Sequence, residues 1–183
     1  MLCTPERMGW GMSIFVEGGV IWLTGLSGTG KTTVAELLEE RLRAHGVMPM
    51  LLDADRSRTT MPVRPGSAVQ ERRRLARSYS NLAAELAGQG HVVICATISL
   101  FHEVHAWNRA NLPHYLEVWL RVPHTELAAR RQDVPGARIE PEFPLRPDLV
   151  IDNYPPVTAR ETADLIFSAL PLRGLPVSAG SAG

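Results

Sequence analysis

The sequence contains almost no lysine. Of its 183 residues 19 are basic, and Lys31 is the single lysine among 18 arginines. The 19 acidic residues bring the formal net charge to zero, whereas proteins that bind nucleic acids or membrane surfaces through general electrostatics carry a basic excess. The composition therefore argues against both kinds of partner. A coding preference for arginine explains most of the imbalance, so the one position that keeps a lysine becomes informative.

Cysteines and long apolar runs are also scarce. Cys3 and Cys95 are too few for a disulfide framework or a zinc site, and Cys95 lies in an apolar run that is typical of a buried, reduced thiol. No apolar stretch approaches the roughly 20 residues that a membrane-spanning helix needs. The N-terminus lacks the basic start and apolar run of a signal peptide. These features predict a cytoplasmic protein.

The chain divides into an irregular leader at 1–18, one domain at 19–172 and a flexible tail at 173–183 that is rich in glycine, serine and alanine. Within the domain, short apolar runs alternate with amphipathic segments. We predict strands at 20–23, 48–52, 92–96, 115–120 and 149–151, and helices at 31–45, 67–87, 103–111, 125–131 and 158–170. Alternating strands and helices predict an α/β fold with three layers, in which helices flank a mostly parallel sheet.

The second predicted helix has a clear apolar pattern. Leu75, Tyr79, Leu82 and Leu86 recur at helical spacing and are expected to face the core. In folds of this class ligands bind beyond the carboxyl ends of the strands, so functional groups are expected at those positions.

A glycine-rich segment follows the first predicted strand and opens the first predicted helix. Its residues, Gly25-Leu26-Ser27-Gly28-Thr29-Gly30-Lys31-Thr32, match G-x-x-x-x-G-K-[ST] at every specified position. Glycines let the backbone wrap a phosphate chain, and the free amides and the helix N-terminus present partial positive charge. Lys31 can reach the β- and γ-phosphates, and the Thr32 hydroxyl can bind Mg²⁺. The segment predicts a nucleoside-triphosphate site in a P-loop NTPase fold.

The single lysine also excludes one class of P-loop protein. GTP-binding switches read guanine with an Asn-Lys-x-Asp element, and a chain whose only lysine is Lys31 contains none. No LSGGQ-like segment indicates a transporter-type ATPase. One P-loop in a small domain favours a small-molecule kinase.

Two carboxylates, Asp53 and Asp55, lie at the end of the second predicted strand. Side chains two residues apart in a strand point the same way, so both can face the phosphate site if the extended conformation continues. One carboxylate can hold Mg²⁺ through water, and the other can accept the proton of an attacking hydroxyl. Because the strand at 92–96 runs into Thr97 and Ser99, this pair is the best source of carboxylates for a metal.

Several of these segments resemble the adenylylsulfate kinase (APS kinase) family. The stretch 22–33 is similar to the opening of that family, Asp53-Ala54-Asp55-Arg56-Ser57-Arg58 to its D-G-D-N-x-R, and Ile98-Ser99-Leu100-Phe101 to its I-S-P-[FY]. With Arg-Pro-Asp-Leu-Val at 146–150, the likeness extends over about residues 19–170. Members of this family transfer the γ-phosphate of ATP to the 3′-hydroxyl of adenosine 5′-phosphosulfate with the help of Mg²⁺.

The resemblance implies roles at the ATP site. Lys31 would act on the phosphates, Thr32 and Asp53 would bind Mg²⁺, and Asp55 would be the general base. Arg130 lies where the family has a mobile lid, and it is expected to close over the phosphates. The residues expected to bind ATP are Gly25, Leu26, Ser27, Gly28, Thr29, Gly30, Lys31, Thr32, Thr33 and Arg130.

The resemblance also implies an acceptor site. Arginines of the family hold the sulfate-bearing nucleotide, and a backbone segment after the third strand lines its pocket. Independently of the family, an anionic nucleotide needs guanidinium groups, which bind phosphate or sulfate bidentately. The residues expected to contact the acceptor are Arg58, Arg72, Arg77, Ile98, Ser99, Phe101 and Arg109.

The sequence departs from the family pattern around the acceptor and the lid. Arg56 replaces the asparagine of D-G-D-N, Leu75 replaces a helical asparagine, and Leu100 replaces the proline after I-S. The lid motif R-D-x-K-G-L-Y lacks its lysine, since Lys31 is the only one, and the F-T-G-[IV] segment is reduced to the surroundings of Phe143. These departures leave the identity of the acceptor open.

The sequence leaves two candidate acceptors, and one candidate function of a different class. Ser99-Leu100-Phe101, Glu103 and Trp107-Asn108-Arg109 resemble a branch of APS-kinase-like proteins found with surface-polysaccharide modification, some of them described as cytidine diphosphoramidate kinases. The leading hypothesis is a kinase for a small anionic nucleotide, first adenosine 5′-phosphosulfate and second cytidine diphosphoramidate. The altered lid suggests the alternative of an ATP-binding sensor without transferase activity. The resemblance also implies a homodimer.

Overall fold

The computed structural model describes residues 18–57, 69–130 and 140–170, and the ends expected to be a leader and a tail lie mostly outside these ranges. Strands and helices alternate along the described chain, as the apolar pattern predicts. The elements are β1 (Gly19–Thr24), α1 (Lys31–Ala44), β2 (Met50–Asp53), α2 (Ala54–Ser57), α3 (Val69–Gly88), β3 (Val92–Thr97), α4 (His102–Asn111), β4 (Tyr115–Arg121), α5 (His124–Arg130), β5 (Leu149–Asp152) and α6 (Ala159–Ala169).

The five described strands form one parallel sheet in the order β2-β3-β1-β4-β5. Thr24 lies opposite Thr97 in the pairing of β1 with β3, and Asp53 lies opposite Ala96 in the pairing of β2 with β3. The carboxyl ends of these three strands therefore reach the same edge of the sheet. This topology confirms the α/β fold, and it brings the predicted functional segments to one edge.

Both faces of the sheet are covered by helices. On one face, Ile21 and Leu23 pack in a cluster with Leu38 of α1 and Ile166 of α6. On the other face, residues of β1 and β3 pack against α3 and α4; the cluster includes Val20, Trp22, Val93, Cys95, Tyr79, Ala83 and Val104. Burial of each large side chain contributes about 1.5–3 kcal/mol. A strand covered on both sides reads as a continuous apolar run, which is why β1 and β3 were easy to predict.

The buried face of α3 matches the prediction in part. Tyr79 is in the core and Leu75 and Leu86 pack half-buried against it, whereas Leu82 is 37% exposed. The face that contacts the sheet carries mostly small side chains, which allow the helix to approach the strands closely. Its residues are Ala76, Tyr79, Ser80, Ala83 and Ala87.

Two helix ends follow their sequence signals. Gly46 has a φ of 78° after α1, and the amides of Gly46 and Val47 donate to the carbonyls of Arg43 and Leu42, each at 3.0 Å. At the start of α6, the amide of Glu161 donates to the Thr158 hydroxyl at 3.2 Å, and the Thr158 amide donates to the Glu161 carboxylate at 2.8 Å. The predicted glycine stop and threonine cap are both confirmed. No helix in the described ranges is long and apolar enough to cross a membrane.

Candidate active site

The glycine-rich segment forms the connection between β1 and α1. Residues 25–30 make the turn, and Lys31, Thr32 and Thr33 occupy the first turn of α1. Gly25, Gly28 and Gly30 have φ values of 152°, 83° and 87°, which side-chain-bearing residues rarely adopt. The backbone therefore has the strand-turn-helix context that a phosphate-binding loop requires.

Two of these glycines are also required by close neighbours. A Cβ atom at Gly25 would lie 2.5 Å from the carbonyl oxygen of Leu120, and one at Gly30 would lie 2.6 Å from Nδ2 of Asn153. Both distances are shorter than van der Waals contact. The loop is thus packed tightly against the ends of β4 and β5.

Lys31 is buried at the start of α1. Its ammonium group donates to the carbonyl oxygens of Gly25 at 3.0 Å and Leu26 at 2.8 Å. The Thr29 hydroxyl also donates to the Leu26 carbonyl, at 2.9 Å. A buried charge needs such partners, and these hold the ammonium group inside the turn that would surround a phosphate chain.

Asn153 braces the loop from the far end of the sheet. Its side-chain amide donates to the Thr29 carbonyl at 2.7 Å, and its side-chain oxygen accepts from the Thr162 hydroxyl of α6 at 2.8 Å. Its backbone amide donates to the Arg121 carbonyl at 2.9 Å. The sequence pattern did not single out this residue, although a polar side chain directly after the last strand was a usable signal. Asn153 therefore connects the phosphate loop with β4 and α6.

Replacement of Gly30 by alanine tests the tight packing of the loop. Gly46, which has a φ of 78° and open space where a Cβ atom would lie, provides a matched control with backbone strain alone. We expect both alanine variants to lose about 1–2 kcal/mol of stability from the left-handed conformation. Only Gly30→Ala should also weaken ATP binding, by about tenfold, because it displaces Asn153. Thermal unfolding and calorimetric ATP titration measure the two effects, and wild-type ATP affinity in Gly30→Ala would contradict the prediction.

The two carboxylates do not lie on one extended strand. Asp53 is buried at the end of β2, and its Oδ1 accepts the Arg56 amide at 3.2 Å. It is therefore the N-cap of α2, a position that aspartate favours. The chain becomes helical at Ala54, so the extended conformation on which the shared orientation of Asp53 and Asp55 depended ends at Asp53. The backbone of Asp55 lies in α2, and its side chain lies outside the described residues.

The Asp53 end of β2 lies near the start of α1. An exposed ion pair joins Arg56 of α2 to Glu36 of α1 at 3.4 Å; it adds little stability, but it locates α2 beside the second turn of α1. Thr32 is in the turn before. The donors at this edge, a hydroxyl and a carboxylate, are hard oxygen ligands of the kind Mg²⁺ binds, together with water and substrate phosphates. The donor set thus fits Mg²⁺.

The segment after β3 lies at the same edge. Ser99 is buried, and its hydroxyl is 2.9 Å from that of Thr97. The Leu100 amide donates to the Ile98 carbonyl at 2.9 Å, so the backbone makes a tight turn at Ser99. Phe101 is buried at the start of α4. The structure therefore places Ile98, Ser99 and Phe101 at this edge of the sheet, and their contact with an acceptor stays a prediction.

The arginines of α3 lie beside this segment. The Arg77 guanidinium stands 3.9 Å above the Trp107 ring, and Arg72 is half-buried. Arg73, which the sequence pattern did not single out, lies 5.2 Å from the Phe101 ring centre and bonds to Glu142 at 2.7 Å. Two further predicted contacts are not among the described side chains. Arg58 is outside the described residues, and so is the side chain of Arg130 at the end of α5.

Arg109 is bonded within the protein. Its guanidinium donates to both carboxylate oxygens of Asp148, at 3.1 and 3.0 Å, and to Oε2 of Glu117 at 3.0 Å. The bonds to Asp148 raise the pKa of Arg109. These bonds hold Arg109 against β4 and the residue just before β5. Its direct contact with an acceptor stays a prediction.

The segment 140–148 packs against the segment after β3 and against β4. The Glu142 amide donates to the Leu100 carbonyl at 3.1 Å, and the Glu142 carboxylate accepts the His102 amide at 2.7 Å. The ring of Phe143 lies 5.2 Å from that of Trp119 in β4. Phe143 lies where this sequence keeps only part of the F-T-G-[IV] element of the family. Its ring thus lies beside Trp119, near the carboxyl end of β4.

Comparison with known proteins agrees with this arrangement. The family described as Adenylylsulphate kinase matches residues 17–151. A cytidine diphosphoramidate kinase of Campylobacter jejuni is 33% identical over 169 residues, covering 84% of this chain and 96% of that protein. An adenylyl-sulfate kinase of a Picosynechococcus species is 33% identical over 120 residues, covering 66% of this chain and 67% of that protein.

A solved structure shows the same likeness in three dimensions. The Mycobacterium tuberculosis APS kinase CysC in complex with AMPPNP and APS shares 28% sequence identity with this chain at a TM-score of 0.67, covering 83% of this chain and 96% of that one. The P-loop, the parallel sheet and the segments at its carboxyl edge therefore have one explanation: the chain belongs to the adenylylsulphate kinase family, and it is an ATP-dependent phosphotransferase.

Proposed function

We propose that this kinase phosphorylates a hydroxyl group of a 5′-modified nucleotide, with cytidine diphosphoramidate as its first acceptor. The extent of similarity carries the proposal. In sequence, the cytidine diphosphoramidate kinase matches over 96% of its length, whereas the adenylyl-sulfate kinase matches over 67% of its own. The 96% coverage of the Mycobacterium tuberculosis APS kinase is a match of the fold at 28% identity, and a shared fold alone does not distinguish the two acceptors. A sequence match of the extent found with the cytidine diphosphoramidate kinase supports a shared acceptor. This reverses the order of the two acceptors that the sequence alone suggested.

Adenosine 5′-phosphosulfate is the second candidate. The family match covers residues 17–151, and the segments at Asp53 and at Ile98 keep most of the APS kinase pattern. Both acceptors are small anionic nucleotides with a free ribose hydroxyl, so the same chemistry serves either one.

The residues proposed for the ATP site would have different roles in phosphate transfer. The backbone of residues 25–33 would bind the phosphate chain, and the Lys31 ammonium group would neutralise the oxygens between the β- and γ-phosphates. Thr32 and Asp53 would hold Mg²⁺, which supplies further charge neutralisation when it is bound. Asp55 would accept the proton of the attacking hydroxyl, and Arg130 would approach the phosphates when the lid closes.

The acceptor would lie between α3 and the segment after β3. Arg58, Arg72 and Arg77 would bind its anionic groups, and stacking on Trp107 holds the guanidinium of Arg77 in a fixed plane. Phe101 and the backbone at Ile98 and Ser99 would line the pocket. The exposed ring of Phe143, next to Trp119, is available to stack on the acceptor base.

An acceptor panel tests the proposal. Transfer from [γ-³²P]ATP should have its highest kcat/KM with cytidine diphosphoramidate, at least about tenfold above adenosine 5′-phosphosulfate, because a site that hydrogen-bonds one base discriminates strongly against another. Simple sugars should give no transfer above that of Lys31→Ala, which is the blank. A preference for adenosine 5′-phosphosulfate would establish the second candidate. ATP hydrolysis that no acceptor accelerates would instead support the sensor hypothesis.

We also propose a cytoplasmic homodimer. Burial raises the pKa of the Cys95 thiol, so this cysteine stays protonated and unreactive, which suits a reducing compartment. The dimer rests on the family resemblance alone, and light scattering coupled to size-exclusion chromatography measures it directly.

A further inference from the structure

A buried carboxyl group in β4 has no role in the ATP site. Glu117 is 2% exposed in a strand whose neighbouring residues Val118 and Leu120 are fully buried. A carboxyl group is retained in such a place only when its oxygens are bonded. Oε2 accepts from Arg109 at 3.0 Å, and Oε1 contacts Nδ1 of His105 in α4. Glu117 therefore serves to hold these two side chains.

His105 connects Glu117 with the segment after β3. Nε2 of His105 lies 2.5 Å from the carbonyl oxygen of Ser99, so it carries a hydrogen and donates it. Nδ1 faces the Glu117 oxygen, and one proton must lie between these two atoms because bare acceptors repel each other. Burial lowers the pKa of His105 to about 4. Both ring nitrogens are thus bonded, and the ring has one orientation.

Asp148 fixes the outer end of the same chain of bonds. Its carboxylate takes two hydrogen bonds from Arg109, and its Oδ2 also accepts the Glu117 amide at 2.7 Å. The bonded series runs from Asp148, just before β5, through Arg109, Glu117 and His105 to Ser99. It ends at the backbone turn that follows β3.

We propose that His105 is a positioning residue for the acceptor: its bond to the Ser99 carbonyl holds the turn at 98–100 in the conformation that receives the acceptor nucleotide. The inference rests on the proposed role of this turn in lining the acceptor pocket. His105 is buried beneath the turn and does not touch the ATP loop through any bond that the described residues show. Its replacement should therefore affect the acceptor and spare ATP.

Two substitutions separate the effect of losing the bond between His105 and the Ser99 carbonyl from the effect of losing the imidazole ring. The amide nitrogen of glutamine reaches about as far as Nε2, whereas that of asparagine reaches only as far as Nδ1. We expect His105→Asn to raise the KM for the acceptor by about tenfold, the effect of one lost hydrogen bond that orients a substrate. His105→Gln should restore most of the affinity, and the KM for ATP should stay within about twofold in both variants. Equal losses in both, or an unchanged acceptor KM in His105→Asn, would overturn the proposal.

Asn153→Ala is the matched control on the opposite side of the site. It removes the bond to the Thr29 carbonyl, so it should raise the KM for ATP and leave that for the acceptor unchanged. The opposite response of His105→Asn distinguishes positioning of the acceptor from a general loss of stability, which would change both constants together.

A measurement on the unaltered protein covers the case in which His105→Asn does not fold. The Nε2–H of His105 should give an exchange-protected ¹H–¹⁵N signal, assigned by its absence from His105→Gln, and this signal should shift when the acceptor binds. A signal that does not respond to an acceptor that the kinase turns over would overturn the inference alone. A panel with no acceptor at all would instead overturn the proposed function.

Discussion

Replacement of Lys31 by arginine is expected to lower kcat for phosphate transfer by about 100- to 1,000-fold, the usual effect of losing one well-placed charge in a transition state. The ammonium group fits between the carbonyl oxygens of Gly25 and Leu26, at 3.0 and 2.8 Å. A guanidinium group carries the same charge on a larger planar fork, and a buried, tightly packed site has no room for it. Single-turnover transfer from ATP measures the effect without interference from product release.

Lys31→Met supplies the control for this prediction. Methionine keeps a similar length and removes the charge, so it separates the loss of charge from the misfit of a larger group. Both variants should retain the fold, because α1 and its cap remain intact, and thermal unfolding verifies this. Near-normal transfer by Lys31→Arg would mean that any cation at the start of α1 suffices.

The phosphate loop could be predicted because all of its determinants are local. The glycines, the lysine and the flanking apolar runs all lie between Val20 and Leu42, and each acts at its own position in the chain. Strands β1 and β3 were equally clear, since burial on both faces leaves an uninterrupted apolar run. Their boundaries in the structure differ from the prediction by one residue at most at each end.

The predictions differ from the structure where one sequence pattern is compatible with two structures and does not choose between them. Asp53 and Asp55 fit a continued strand, but the preference of aspartate for an N-cap position starts α2 at Ala54. In α3 the leucines suggested the buried face, whereas the alanines allow the closer approach to the sheet. At Asp53 a local capping preference decided between two acceptable structures, whereas in α3 packing against the sheet decided which side chains are buried.

The contacts that the bracing residues make could not be predicted from the sequence alone. Asn153 and Thr29 are 124 positions apart, and their contact depends on β5 joining the sheet beside β4. Glu117 was visible as a single carboxyl group in an apolar strand. Its partner His105 could be identified only once α4 was packed on that face. Long-range contacts of this kind fix the positions of the residues in the site, while the local motif determines which chemical groups are present there.

The second large effect is expected from the two carboxylates, taken as a pair. Asp55→Asn should lower kcat by about 100- to 10,000-fold, the range for loss of a general base, and leave ATP binding largely intact. Asp53→Asn should act differently, because it removes a ligand proposed for Mg²⁺. It should therefore weaken the binding of ATP in the presence of Mg²⁺, and additional Mg²⁺ should restore part of the activity.

Asparagine is the right replacement at both positions for a structural reason. Asp53 caps α2 through a bond from the Arg56 amide at 3.2 Å, and asparagine caps helices as well as aspartate does. Any loss in Asp53→Asn then reports on charge and not on the start of α2. Calorimetric titration with ATP at several Mg²⁺ concentrations, combined with kcat, separates the two roles. If Asp55→Asn loses ATP binding while Asp53→Asn loses only kcat, the roles of the two carboxylates are reversed, and the base is the buried residue at the end of β2.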